Sequence, residues 1–187
     1  MTADGKAPQN EVMNNSLKNA DIVIVLAMHG TPPKDFPKTE HKELFEIRAA
    51  LKHATNPSKT LRERHDFLDK KMRLWPRTEK NDPFHFGSME LGRHLEKQSG
   101  LRVIVGFNEF CDPDLHKALR EAVRLADEKV LVTTPMMTRG GSHSKGDIPA
   151  AIAGVQRDSP KTDIIYAWPF PVSEIAGFLS VQIQAFL

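Results

Sequence analysis

Four short apolar runs rich in β-branched residues recur along the chain, and each is followed by a stretch in which apolar residues have helical spacing. A short apolar run that ends at Gly or Pro is typical of a strand buried on both faces. The alternation predicts an α/β fold: an open, mostly parallel four-stranded sheet with helices on both faces. The predicted strands are 21–28, 101–107, 129–134 and 163–168, and the predicted helices are 86–98, 114–126, 147–155 and 172–186.

The connection between the first two strands is unusually long, since residues 29–100 separate them. A strand–helix–strand unit needs only about 30 residues in all. We therefore interpret residues 34–80 as a helical insertion after the first strand, within a single domain that spans residues 1–187. Apolar residues at helical spacing predict two helices in this insertion, separated at Asn56-Pro57.

The net charge of the chain is only +2, but the insertion is basic, with 13 lysines and arginines against 8 aspartates and glutamates. So small an overall charge does not indicate nucleic-acid binding. A single cysteine excludes an internal disulfide and a thiolate metal cage, and no apolar run approaches the roughly 20 residues of a membrane span. We expect a cytoplasmic protein without nucleic-acid or membrane partners, whose polar residues 1–18 form a flexible N-terminus.

Polar residues that can bind a metal follow three of the predicted strands. His29 comes after the first strand, Glu109 follows the second, and His143 lies in the Gly-rich loop after the third. Because ligands of open α/β sheets bind outside the carboxyl ends of the strands, we expect these three side chains to converge. Two imidazoles and a carboxylate suit a first-row divalent metal ion, and they equally suit acid–base chemistry.

Phosphate-binding motifs are missing from the sequence. The glycines at positions 87 and 92 have P-loop spacing, but Arg93 and His94 stand where Lys and Ser or Thr are required. The sequence also has no G-x-G-x-x-G motif. We therefore expect neither ATP nor another nucleotide as a cofactor.

The loop after the third strand carries the most specific motif. Residues 140–149 read Gly-Gly-Ser-His-Ser-Lys-Gly-Asp-Ile-Pro, residues 28–31 read Met-His-Gly-Thr, and residues 107–109 read Phe-Asn-Glu. These three elements resemble the signatures of the class II, ATP-independent chelatases, the CbiX-type sirohydrochlorin cobaltochelatases. The resemblance covers about residues 20–32 and 85–187, with Met28 in place of the family's glycine and Thr31 in place of its serine.

The resemblance implies a chelatase fold, half of which is flavodoxin-like, and a reaction that inserts a divalent metal into sirohydrochlorin or a related tetrapyrrole without ATP. Co²⁺ is the first choice, as in cobalamin biosynthesis, with Fe²⁺ or Ni²⁺ as alternatives. It also implies that His29 and His143 bind the metal and that Glu109 assists as a ligand and in proton removal. Since the chain holds one copy of the unit, a homodimer is expected.

Sirohydrochlorin is a polycarboxylate, so cations and backbone N–H groups near the site are candidates for binding it. Arg139 and Lys145 flank His143, and we expect Gly140, Gly141 and Ser142, together with the helix predicted to start at Asp147, to receive substrate carboxylates. Two other functions fit the same residues: a metal-dependent hydrolase that uses the His/Glu/His site with bound water, and a non-enzymatic carrier of metal or tetrapyrrole.

Overall fold

A parallel sheet forms the centre of the computed structural model, which describes residues 22–187. Its four strands have the spatial order β2-β1-β3-β4, and every neighbouring pair is parallel. This arrangement confirms the predicted open parallel sheet. The strands are β1 (Ile22–Met28), β2 (Arg102–Phe107), β3 (Lys129–Thr133) and β4 (Asp163–Tyr166). The predicted flexible N-terminus, residues 1–18, lies outside the described residues.

The fourth strand is shorter than predicted and ends at Tyr166 rather than Trp168. The backbone N–H of Ala167 still donates to the carbonyl of Val132 in β3, over 2.8 Å, and the pairing with β3 ends there. The backbone N–H of Trp168 instead donates to the carbonyl of Tyr166, and its indole N–H donates to the carbonyl of Met136. The apolar run therefore continues past the end of the strand.

The central strand β1 is buried on both faces because helices cover each side of the sheet. Val23, Val25 and Ala27 belong to the larger core with α4 (Leu115–Leu125) and α5 (Ile148–Asp158). Leu26 and Met28 belong to a second core with α3 (Pro83–Ser99). Burying a large apolar side chain contributes about 1.5–3 kcal/mol, and the continuous apolar pattern of β1 is thus explained by two packed layers.

The segment 34–80 contains two helices, α1 (Lys38–His53) and α2 (Lys59–Arg73). They share a separate core made of Leu44 and Ile47 from α1 and Leu68 and Met72 from α2. Phe110, from the loop that follows β2, is also buried in this core. The insertion therefore packs directly against the loop that carries Glu109.

The last helix, α6 (Val172–Gln184), differs from the others because none of its residues is buried. Large apolar side chains along it and just after it are at least half exposed: Val172, Phe178, Leu179, Val181, Ile183, Phe186 and Leu187.

Among residues 22–187, no helix is long and apolar enough to cross a membrane.

Candidate active site

His29 directly follows β1, and its orientation is set by its neighbour. The Nδ1 atom lies 2.8 Å from the carbonyl oxygen of Gly30. Since a carbonyl only accepts, Nδ1 must carry the proton, and in the neutral imidazole Nε2 therefore presents its lone pair. Gly30 has a φ of +97°, and a Cβ at this position would lie 1.9 Å from the carbonyl oxygen of Glu109. Only glycine lets the ends of β1 and β2 approach this closely.

His143 begins a π-helical turn, His143–Asp147, that continues into α5. Its Nδ1 donates to the Asp147 carboxylate over 2.6 Å, so its Nε2 also presents a lone pair. Single π-turns are frequent at functional sites. The α-helix begins at Ile148 with Asp147 at its N-cap position, next to the predicted start, but the helical backbone already begins with the π-helical turn at His143. Asp147 therefore orients the histidine and is not a free N-terminus for substrate carboxylates.

Glu109 is fixed beside His29 by its backbone. The N–H groups of Asn108 and Glu109 donate to the carbonyls of Met28 and His29, each over 2.9 Å. The next residue, Phe110, has a φ of +60°, which is unusual for a bulky residue and typical of functional loops. One carboxylate oxygen of Glu109, Oε1, lies 3.4 Å from a guanidinium nitrogen of Arg48 in α1. The other, Oε2, is directed to the histidines.

The structure brings the three predicted residues together. The Nε2 atoms of His29 and His143 are 3.1 Å apart, and Nε2 of His143 is 3.8 Å from Oε2 of Glu109. One ligand atom from each residue lies within 4.8 Å of the others. Two nitrogens that are each about 2.1 Å from one ion are about 3.0–3.4 Å apart. The histidine pair thus has the spacing of two ligands on one metal ion.

The tautomers of the two histidines suit the binding of a cation between them. Both Nδ1 atoms are committed as donors, to Gly30 and to Asp147. Both Nε2 atoms are then acceptors that face each other without a donor between them. A cation shared by the two lone pairs satisfies both, and an imidazole whose second nitrogen donates to a carboxylate or carbonyl is the usual form of a metal-binding histidine.

The site is open to solvent. The side chains of His29, Glu109 and His143 are 46%, 32% and 18% exposed. A hydrated metal ion can therefore reach the imidazole nitrogens, and water can carry protons away from Glu109.

The predicted substrate-binding residues separate into two groups. Gly141 and Ser142 line a cavity of about 490 Å³ beside His143. Arg139, Gly140 and Lys145 are exposed and are not part of its wall. The cavity is otherwise mainly apolar, with walls from the loop after β3 and from α6; they include Met136, Met137, Ile175 and Leu179.

A second cavity, of about 420 Å³, adjoins Asp147 and is polar. Its wall includes Arg73 of α2 and His116 and Arg120 of α4, together with three aspartates. The sequence did not indicate this cleft, because its residues come from three separate helices and a loop. Its cations are a second candidate position for substrate carboxylates.

Residues of the insertion that support the site were also missed from the sequence. Asp69 of α2 accepts from Arg48 over 2.5 Å and from Arg73 over 2.7 Å. Burial acts to raise the pKa of Asp69, but the hydrogen bond and charge of Arg73, with the charge of Arg48, hold this pKa below its usual value. Among the residues that support the site, only Asp147 could be suspected from the sequence, because it lies four residues after His143 at a predicted helix boundary.

Comparison with known proteins gave one family match. Residues 88–176, which include Glu109 and His143, match the model of the CbiX family. No curated protein sequence matches the chain.

Two solved structures are similar at low identity. The sirohydrochlorin chelatase SirB from Bacillus subtilis subspecies spizizenii, crystallised with cobalt, is 15% identical with a TM-score of 0.39; the match covers 80% of this chain but only 43% of the SirB chain. A protein named as a cobalamin (vitamin B12) biosynthesis CbiX protein, from Marinobacter aquaeolei VT8, is 13% identical with a TM-score of 0.42, over 88% of this chain and 92% of that one. With TM-scores below 0.5, neither adds to what the family match shows.

Proposed function

We propose that the protein is a metal chelatase that inserts a divalent ion into sirohydrochlorin or a related tetrapyrrole without ATP, since residues 88–176 match the model of the CbiX family. The observation that carries this proposal is the geometry of the two histidines. Their Nε2 atoms are 3.1 Å apart, and both Nδ1 atoms are used as hydrogen-bond donors. Oε2 of Glu109 lies 3.8 Å from Nε2 of His143. Neutral imidazoles hold a first-row metal ion but release it more readily than a thiolate cage does.

In the proposed reaction His29 and His143 hold the metal ion as substrate through Nε2. Entry of the ion into the tetrapyrrole forms metal–nitrogen bonds and releases two protons from pyrrole N–H groups. Glu109, whose Oε2 lies 3.8 Å from Nε2 of His143, accepts these protons one at a time, and its partial exposure lets it pass each one to water. The metal leaves the imidazoles as the macrocycle nitrogens replace them.

The two cavities beside the site support a position for the macrocycle. The apolar cavity with Met136, Met137, Ile175 and Leu179 offers a surface for the flat ring next to His143. We propose that cations at the rim receive the ring's carboxylates, either Arg139 and Lys145 or the cleft residue Arg120. Charge reversal decides between them: the substitution that raises the KM for sirohydrochlorin several-fold, Arg139→Glu or Arg120→Glu, marks the binding side.

We propose Co²⁺ as the metal, although imidazole and carboxylate ligands also suit Fe²⁺ and Ni²⁺. Competition of the three ions, Fe²⁺ under anaerobic conditions, for sirohydrochlorin at equal free concentrations tests this choice. The cytoplasmic localisation expected from the composition stays a prediction.

We also propose a homodimer in which a second copy of the chain covers α6. The exposed apolar side chains of α6 are continuous with Ile175 and Leu179, which line the cavity beside His143. Analytical ultracentrifugation of the wild type and of Phe178→Glu tests the proposal. We expect a dimer for the wild type and a monomer for the variant, and a monomeric wild type would contradict it.

Metal insertion by the wild type and by His143→Ala is the decisive experiment. Absorbance of sirohydrochlorin after addition of protein and Co²⁺ should show turnover well beyond one equivalent, at a rate above the spontaneous reaction. His143→Ala should lose at least about 100-fold of this rate, or about 2.7 kcal/mol, while far-UV circular dichroism stays native. Binding without turnover would indicate a carrier. Hydrolysis of an ester substrate without metal insertion would indicate a metal hydrolase.

A further inference from the structure

The insertion reaches the proposed metal site through one side chain. Arg48 of α1 divides its guanidinium between two carboxylates, with Nη1 3.4 Å from Oε1 of Glu109 and Nη2 2.5 Å from Oδ1 of Asp69. Oε2 of Glu109 is the oxygen nearest His143. Arg48 therefore holds the carboxylate by the oxygen that does not face the histidines.

The same chain of contacts returns to the backbone of the glutamate's loop. Oδ2 of Asp69 accepts from Nε of Arg73 over 2.7 Å. Arg73 then donates to the carbonyls of Cys111 and Asn108, over 3.0 and 3.3 Å. Side chains of α1 and α2 thus hold both the carboxylate of Glu109 and the main chain on either side of it.

Aromatic contacts also hold Arg48 and the loop that carries Glu109. Phe110, next to Glu109, is only 5% exposed within the core of the insertion and stacks on Phe45 of α1 with ring centroids 5.7 Å apart. The guanidinium carbon of Arg48 lies 4.7 Å from the centroid of the Phe110 ring. Arg48 is therefore itself held between an aromatic face and two carboxylates, and its own side chain is only 21% exposed.

We infer that Arg48 is a positioning residue of the insertion that holds Glu109 at the metal site, and that the insertion between β1 and α3 serves as a support for this glutamate. The inference rests on the proposed function, since it gives Glu109 a role at the metal. Residues that orient a metal ligand typically contribute 10- to 100-fold to metal affinity.

The test uses the full-length protein and Co²⁺ alone. Arg48→Met removes both ion pairs and keeps an unbranched apolar stem in place of the arginine's aliphatic part. Arg64→Met is the matched control: Arg64 also links α2 to α1 through a two-bond pair, with Glu43, but on the solvent side and away from Glu109. We expect Arg48→Met to weaken Co²⁺ binding about tenfold, Arg48→Lys to restore most of the affinity, and Arg64→Met to stay within about twofold of the wild type.

Two further readouts separate positioning from a general loss of structure. The visible absorption of Co²⁺ bound to Arg48→Met should resemble that of Glu109→Gln, because in both variants the carboxylate no longer holds its place at the ion. In the Glu109→Gln background, Arg48→Met should cause no further loss of affinity, since the two residues act through one contact. Three results would overturn the inference: losses of Co²⁺ affinity that add in the double variant, a Co²⁺ spectrum of Arg48→Met equal to that of the wild type, or Co²⁺ binding by Arg48→Met that is unchanged or tighter.

The failure of this inference is distinguishable from the failure of the proposed function. If the wild type inserts Co²⁺ into sirohydrochlorin but Arg48→Met behaves like Arg64→Met, the positioning role is wrong and the function stands. If Arg48→Met weakens Co²⁺ binding but the wild type inserts no metal, the function is wrong and the positioning role stands. A wild type that binds no Co²⁺ would overturn both.

Discussion

Each histidine of the site is oriented by a partner close to it in the sequence, whereas Glu109 is held from far away. His29 donates to the carbonyl of the next residue, and His143 donates to Asp147, four residues on. The carboxylate of Glu109 instead contacts Arg48, 61 residues earlier in the chain. The histidine half of the site is thus built by local backbone geometry, while the glutamate half requires that α1 and α2 are folded and docked.

This difference gives the insertion a structural role that its basic surface does not suggest. A solvated lid or decoration would leave the sheet edge unchanged when removed. Here Phe110 is buried in the insertion core, and arginines of the segment 34–80 hold the backbone of the Glu109 loop. Substitutions in the insertion should therefore disturb Glu109 while leaving the orientation of the histidines intact.

The largest expected effect is on stability and comes from Arg77, where the two halves meet. Its side chain is 8% exposed, is paired with the fully buried Asp82, and donates to the carbonyls of Thr31, Met72 and Phe110. Removing one partner of a buried ion pair typically costs about 3–5 kcal/mol. Arg77→Met should lower the free energy of unfolding in urea by about this amount.

Arg64→Met serves as the control for that measurement, because its pair with Glu43 is exposed and such pairs contribute little. Equal losses in Arg77→Met and Arg64→Met would show that the contacts of Arg77 do not join the insertion to the sheet edge.

The second effect tests whether the loop after β1, which carries His29, must stay in contact with the loop that carries Glu109. Gly30→Ala places a Cβ 1.9 Å from the carbonyl oxygen of Glu109 at a φ of +97°, so the Glu109 loop has to move. We expect a stability loss of at least about 2 kcal/mol and a Co²⁺ affinity at least tenfold lower. Gly146→Ala is the control, since a Cβ there meets nothing within 4 Å and φ is not positive.

The third effect concerns the histidines alone, through the carboxylate that orients His143. Asp147→Ala removes the acceptor that fixes the tautomer of His143, and we expect Co²⁺ binding about tenfold weaker, or about 1.4 kcal/mol, with little change in thermal stability. Asp158→Ala, at the exposed end of the same helix, should leave the affinity unchanged. Calorimetric titration with Co²⁺ measures both variants, and equal affinities would contradict the role of Asp147.

The smallest effect concerns how the free energy of unfolding depends on low pH, through Asp69 in the support of Glu109. The pKa of Asp69 is below its ordinary value in the folded protein, so this carboxylate stabilises the fold above about pH 4. That contribution is lost as the pH falls through the folded-state pKa. Between about pH 4 and 2 the free energy of unfolding of the wild type should fall more steeply than that of Asp69→Asn. Parallel curves would show that Asp69 is not held by Arg48 and Arg73.

The strands and helices of the fold were predictable because their signal is local. The apolar runs are buried between two layers of helices, and the side chains after them meet at one edge of the sheet, as parallel topology requires. The errors occur where side chains change local structure. A π-helical turn in which His143 bonds to Asp147 precedes α5, and the chain leaves the sheet after Tyr166, where both N–H groups of Trp168 donate to carbonyls outside β3.

The support of Glu109 was not predictable from the sequence, for a different reason. The segment 34–80 holds 13 basic residues, and nothing in their spacing distinguishes Arg48 or Arg73 from the others. Their role depends on how α1 and α2 dock against the loop after β2, which is a tertiary property. The positions of His29, Glu109 and His143 followed from strand ends and a family motif, but the contacts that orient them required coordinates.

Cys111 gives this protein a built-in reporter of how often the glutamate's loop opens. It is the only cysteine in the chain, lies two residues after Glu109 and is fully buried. Burial shields its sulfur from solvent and also raises the pKa of its thiol, so an alkylating reagent reaches the sulfur when the loop opens. At a fixed pH the alkylation rate, divided by that of the unfolded chain, gives the equilibrium constant for this opening when reclosing is fast. The population of the open loop can thus be measured in the protein without a metal or a tetrapyrrole.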